Sequence, residues 1–155
     1  MTARPAPTVF FESFTPGEVR ELGSLTVSRE EIVDFAREFD PQPFHLDEAA
    51  ARRSLFGGLS ASGWHSLGLL MRLLVDGLLK DADSMGSPGV DEVRWLKPVR
   101  PGDRLSLRLT TVACVPSQSK PDRGVIHLVY ELYNQSGEAV VRMKGMNMLK
   151  RRPAA

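Results

Sequence analysis

The first regular pattern along the chain is "SLTVSREEIVDFAREFD", where Ile32, Val33, Phe35, Ala36 and Phe39 recur at helical spacing and form an apolar stripe. Ser28 followed by Glu31 is a capping box, each side chain satisfying a backbone N–H of the other residue. Pro41 disfavours helical geometry for the residue before it, so the helix is predicted to stop at Asp40. A second, short helix is predicted from Asp47 as N-cap through "EAAARRSLF" to Gly57-Gly58. A third opens at Ser62 or Gly63 and runs through "WHSLGLLMRLLVDGLL". Trp64, Leu67, Met71, Leu74 and Leu78 share one face of it, Leu70 and Leu73 widen that face, and Arg72, Asp76 and Lys80 stand four apart on the other side. A helix this apolar is expected to lie against something broad, and a sheet would suit.

The rest of the chain supplies strands. "VDEVRWLKPV", "DRLSLRLTTVACV", "GVIHLVYELYN" and "EAVVRMKGMNMLK" are β-rich runs separated by Pro101-Gly102-Asp103, the polar "PSQSKPDRG" stretch and Ser136-Gly137. Leu105, Leu107 and Leu109 alternate with Ser106, Arg108 and Thr110, the period of a strand with one covered face. Hairpin-length connections predict antiparallel neighbours in a meander. Helices first and strands after make an α+β fold, one long helix lying on an antiparallel sheet.

Length and charge narrow the functions. The 155 residues suffice for one domain with its own core, read as 9–150 with a flexible lead at 1–8 and a short tail at 151–155. Twenty basic against nineteen acidic residues give no broad electropositive surface, so nucleic acid is not the expected partner. The one cysteine, Cys114, has no partner for a bridge, and with three scattered histidines no metal site is expected at any usual spacing. "MTARPAPTVFFESF" lacks the continuous apolar run of a signal peptide, so the expectation is a cytoplasmic protein with no membrane partner.

Two places carry candidate chemistry. In "FDPQPFHLDE" the first helix ends on Asp40, and His45 follows after two stiffening prolines. Histidine handles protons near neutral pH, and a carboxylate beside it can orient the ring or share in activating a water. By spacing alone the pair is either a proton-transfer device or a rigid turn with a capping aspartate. In "SASGWHS" the long helix starts at Gly63, whose N–H has no intrahelical partner and whose missing side chain lets a carbonyl oxygen approach. The local alternative is that Ser62 is an N-cap and Gly63 relieves crowding. His65 is read as a residue of the polar edge near Arg72 or of a subunit contact, and His127 as a structural residue in mid-strand. A triad of Ser62, His45 and Asp40 is disfavoured because no G-x-S-x-G elbow accompanies the serine.

Taken together these residues resemble the MaoC-like dehydratase family, which includes the R-specific enoyl-CoA hydratases. That family's pattern is an aspartate, an asparagine-proline pair, a histidine five after the aspartate, a short helix, and "A-H-G" opening a long apolar helix. Here the positions read Asp40, Gln42-Pro43, His45, "DEAAARRSLF" and Ala61-Ser62-Gly63, and "VRWLKPVRPGD" resembles the family's strand and turn after the helix. The likeness covers about Phe11 to Leu149. It implies a hot-dog fold, a sheet wrapped around a long helix, working at least as a homodimer. It also implies that Asp40 and His45 hold and activate water for addition to a trans-2-enoyl thioester, while Gly63, with Ser62 beside it, forms the site for the thioester oxygen. No cofactor is implied beyond the coenzyme A or acyl carrier of the substrate. Gln42 and Ser62 depart from the family's asparagine and histidine and alter the pocket wall, and Phe44 and Trp64 are bulky neighbours. Arg94, Lys97, Arg100 and Arg104 are either cations for a carrier's phosphates or a solvated face. Two alternatives keep the fold: a thioesterase in which Asp40 directs water to the carbonyl carbon, and a non-catalytic acyl-thioester-binding module.

Overall fold

The computed structural model describes residues 2–154. Five strands form one antiparallel sheet: β1 (Val19–Thr26), β2 (Val90–Trp95), β3 (Arg104–Pro116), β4 (Arg123–Tyr133) and β5 (Ala139–Lys150), in the order β1-β3-β4-β5-β2. Four helices precede β2: α1 (Arg29–Phe39), α2 (Pro43–Leu46), α3 (Glu48–Arg52) and α4 (Gly63–Gly77). This is the α+β, hot-dog arrangement expected, with the long helix against one face of the sheet.

Side-chain alternation decides which face. Leu105, Leu107 and Leu109 of β3 and Ile126, Leu128, Tyr130 and Leu132 of β4 point inward and are buried, joined by Val141, Met143 and Leu149 of β5. Helix α4 closes this core from the other side through Leu70, Leu73 and Leu74 and packs on β1 and β3. It approaches the β1 backbone closely at Gly77, where a Cβ would lie 2.8 Å from the Leu22 carbonyl oxygen. In the N-terminal segment Arg4 donates to the carbonyls of Leu79, Lys80 and Ala82, and Val9 bridges Ala82.

Several expectations need correction. The meander reading placed β2 beside β3, but β2 lies on the far side of the sheet with β5 as its one neighbour, and β3 pairs β1 instead. The connection from Leu96 to Asp103 carries two prolines and runs across to the other half of the sheet. The second predicted helix ends at Arg52, five residues before Gly57, and α2 is an extra single turn with Pro43 in its first position. The buried stripe of α4 is also rotated from the expected one. Trp64 and Met71 are 64% and 47% exposed, whereas His65 and Ser66 are buried. An almost wholly apolar helix gives periodicity little to choose between faces, and here Leu70, Leu73 and Leu74 are buried together with His65 and Ser66 while Trp64 and Met71 are left outside.

The capping box of α1 is present as read: Glu31 N–H donates to Ser28 Oγ at 3.1 Å, and Ser28 N–H to Glu31 Oε2 at 2.9 Å. The helix stops at Asp40, whose N–H still bonds the Ala36 carbonyl while its own backbone has left helical geometry (φ −150°, ψ 68°) ahead of Pro41.

Candidate active site

Asp40 ends α1 and His45 sits in the single turn α2, so both are placed by backbone that the prolines leave little freedom. The His45 Nε2 to Asp40 Oδ2 distance is 3.5 Å. On its other side the imidazole meets a backbone carbonyl, Nδ1 lying 2.6 Å from Ser60 O. A carbonyl oxygen only accepts, so Nδ1 carries a proton. In the neutral ring Nε2 then holds the lone pair, and since the Asp40 carboxylate is also an acceptor, the two are joined only through a donor between them such as water.

The carboxylate has its own partners. Gln42 Nε2 donates to Asp40 Oδ1 at 2.7 Å. Burial raises the Asp40 pKa, but hydrogen bonds from the Gln42 amide and the Ser62 hydroxyl, with the positive charge of His45 when its ring is protonated, outweigh it and hold the carboxyl below its ordinary value. Asp40 is therefore an anion throughout the neutral range. Gln42, the departure from the family's asparagine, is thus in direct contact with the group whose charge matters.

Asp40, His45 and Gly63 line the same cavity, of about 370 Å³, with Phe44, Phe56 and Trp95 supplying apolar wall. Ser62 does not line it. It is fully buried behind the wall, where its Oγ accepts the Trp64 N–H at 3.3 Å. Gly63 shows a feature the sequence did not disclose. Trp95, from β2 at the edge of the sheet, lays its indole on the glycine and donates from Nε1 to the Gly63 carbonyl at 2.9 Å. A Cβ at Gly63 would fall 2.5 Å from two atoms of that ring. Trp95, Ser60 and Phe56 were not singled out because each reaches the site through a contact distant in sequence.

His65 corrects another expectation. It is not on the polar edge but 8% exposed, stacked 4.7 Å from Phe35 of α1. Its Nδ1 and the Ser60 Oγ are buried without a hydrogen-bond partner among the described residues. Desolvation lowers the His65 pKa from its usual 6.5, the Glu31 carboxylate opposing only in part. The native state thus takes up this proton at lower pH than the unfolded chain, and stability falls as pH drops below about 6.5 until the lower native value is passed. A His65→Gln variant lacks this contribution. The wild-type lead or deficit in melting temperature over H65Q should shift against the wild type between pH 7.5 and pH 5, and parallel melting curves for the two proteins across that range would contradict the assignment.

Each of the four cations has a partner within the chain, and Lys97 also lines the cavity. Arg94 pairs with Glu92, Lys97 with Glu138, and Arg104 contacts Ser24. Arg100 is turned inward onto backbone carbonyls. His127 stands half-buried in mid-strand on β4.

Comparison with known proteins agrees with this geometry. A family profile described as "MaoC like domain" matches residues 11–129. The chain belongs to the MaoC-like family. This MaoC-like chain is 32% identical to the uncharacterized protein YdeM of Bacillus subtilis, over 90% of its own length and 98% of YdeM. Among solved structures it is similar to a MaoC-like dehydratase from Rhodospirillum rubrum, with 44% identity, a TM-score of 0.88, and coverage of 95% of this chain and 100% of that one. The unliganded R-hydratase PhaJ1 of Pseudomonas aeruginosa shares the fold, with a TM-score of 0.73 at 22% identity, 97% of this chain and 94% of that one being covered. Membership supports a hydratase or dehydratase class of chemistry.

Proposed function

We propose that this MaoC-like protein adds water to a trans-2-enoyl thioester to give an (R)-3-hydroxyacyl thioester, or runs the reverse dehydration. The observation that carries this reading is the meeting of the Asp40 carboxylate, the His45 imidazole and Gly63, the first residue of α4, around one small, largely apolar space. The stereochemical class is taken from the R-hydratase relative, whose fold this chain shares.

The steps follow from charge. A water hydrogen-bonded to Asp40 and His45 gives up a proton to the pair as its oxygen bonds C3 of the enoyl group. The C2=C3 electron pair moves toward the thioester carbonyl, whose oxygen gains negative charge beside the Gly63 N–H. The pair then returns a proton to C2, and the thioester is restored. Donors aimed at such an oxygen are worth roughly a hundredfold or more in rate. The reaction is redox-neutral, and coenzyme A or an acyl carrier enters only as part of the substrate.

The protein is proposed to act as a cytoplasmic homodimer. Helix α4 leaves Trp64, Met71 and Val75 exposed, and β2 leaves Val90 and Trp95 exposed on a strand with one unpaired edge. An apolar face next to an open sheet edge suits a second copy of the chain.

A spectrophotometric screen over enoyl-CoAs of increasing length tests the reaction. The expected result is loss of the conjugated enoyl absorbance without release of free thiol, the product resolving as the R enantiomer. Thiol release from saturated acyl-CoAs with no hydration would replace this reading by a thioesterase. Saturable acyl-CoA binding with no turnover would make the protein a binding module.

A further inference from the structure

We propose that Arg100 is a positioning residue for His45, acting by holding the Phe56–Leu59 backbone so that the next carbonyl, that of Ser60, sets the orientation and tautomer of the imidazole. The inference rests on the reading above that His45 moves a proton.

The segment that delivers the Ser60 carbonyl is tied locally at its start, where Phe56 N–H and Gly57 N–H both bond Ser54. It contains Gly57-Gly58, and Gly57 has a φ of +68° that side chains rarely adopt. Beyond that turn the hold comes from Arg100, across the chain. Its Nη1 donates to Gly58 O at 2.7 Å and Leu59 O at 3.3 Å, and its Nη2 donates to Phe56 O. One planar guanidinium thus gathers three carbonyls of this segment. Gly58 makes room for it, since a Cβ there would lie 3.3 Å from Nη1.

Arg100 is itself anchored. Its N–H donates to Asp103 Oδ2 at 2.8 Å, and Asp103, 7% exposed, accepts a second bond from Gln135 Nε2 at 3.0 Å. Beside it Ala61 N–H bonds the Val99 carbonyl at 2.9 Å. The carbonyl between these two ties is that of Ser60, which meets His45 Nδ1. Ser60 and His45 are 1% and 5% exposed, so bulk water has no easy route to replace the lost acceptor. The same segment carries the Phe56 ring, whose centroid lies 5.9 Å from that of His45. Releasing Arg100 therefore loosens both the acceptor and the packing that hold the imidazole.

The test compares wild type, Arg100→Met, His45→Ala and the double variant on the enoyl-CoA found best in the screen, with thermal unfolding of each. A displaced proton-transfer group costs roughly a hundredfold, so R100M should lower kcat by about that factor with KM held within about twofold. In the His45→Ala background the same change should lower kcat by less than about twofold, because its target is gone. Nitrogen NMR of the His45 ring gives a readout independent of turnover: an Nδ1–H tautomer in the wild type, and a mixture in R100M. Should R100M fail to fold, Arg100→Lys serves in its place, since one ammonium group does not span three carbonyls and should give a partial loss of kcat with a mixed tautomer. Equal kcat losses in both backgrounds, a rise in KM alone as for a phosphate ligand, or an unchanged His45 tautomer would overturn the proposal. If the wild type hydrates no enoyl thioester, the functional reading fails, and the tautomer measurement still decides the role of Arg100.

Discussion

Asp40→Asn is expected to lower kcat for enoyl-CoA hydration by about a hundred- to ten-thousandfold, the range an acid/base group contributes, with little change in fold. The substitution keeps the shape, and the Gln42 amide at 2.7 Å retains an oxygen to donate to. What it removes is the charge. Because the native carboxyl has a pKa below its unfolded value of about 3.8, it favours folding at neutral pH, and that contribution disappears as pH falls through the native value. The asparagine variant should therefore be slightly less stable than wild type at pH 7 and approach it only in strong acid. Near-normal turnover by a folded D40N protein, measured on the best substrate of the screen, would remove Asp40 from the chemistry.

The second large effect is expected at Gly63. Alanine there adds a methyl group 2.5 Å from the indole of Trp95, well inside contact distance. Two effects compete. Alanine suits a helix better than glycine by about 1 kcal/mol at most, whereas forcing a methyl into a packed contact costs about 1–3 kcal/mol, and here it also breaks the Nε1–H bond to the Gly63 carbonyl. The clash should win, so G63A melts earlier than wild type and has reduced kcat because the oxygen-binding end of the cavity has moved. Trp95→Ala opens the space, and the double variant should recover much of the stability that G63A lost. Strict additivity of the two melting shifts, or no shift in G63A, would show that the indole is not what requires a glycine there.

The parts of this molecule legible in its sequence are those encoded by neighbours along the chain. Ser28 and Glu31 mark the start of α1, Pro41 its end, and strict alternation marks β3. β1 carries Arg20 and Glu21 and is broken by Gly23 at φ +91°, where its register with β3 shifts, so its eight residues show no clean period and were not assigned. Strand order is hidden for a different reason: alternation says that β2 is a strand but not which strand it meets, and the Leu96–Asp103 connection crosses the sheet. Asp40, His45 and Gly63 were found because helix ends and prolines frame them. Trp95, Ser60 and the inward Arg100 were missed as site residues because tertiary contact alone brings them there, and the cluster of cations around residues 94–104 looked the same whether solvated or turned inside.

The groups assigned to the proposed reaction occur between Asp40 and Gly63, yet several ties on the end of this stretch come from Trp95, Val99 and Arg100, through the bonds to Gly63, to Ala61 and to the carbonyls of Phe56, Gly58 and Leu59. During synthesis the reactive segment leaves the ribosome well ahead of its fastener. A nascent chain ending after α4 would carry Asp40, His45 and Gly63 without the bonds from Trp95, Val99 and Arg100 that fasten the Phe56–Gly63 backbone, so under the proposed function the site is completed only once that later segment has been made.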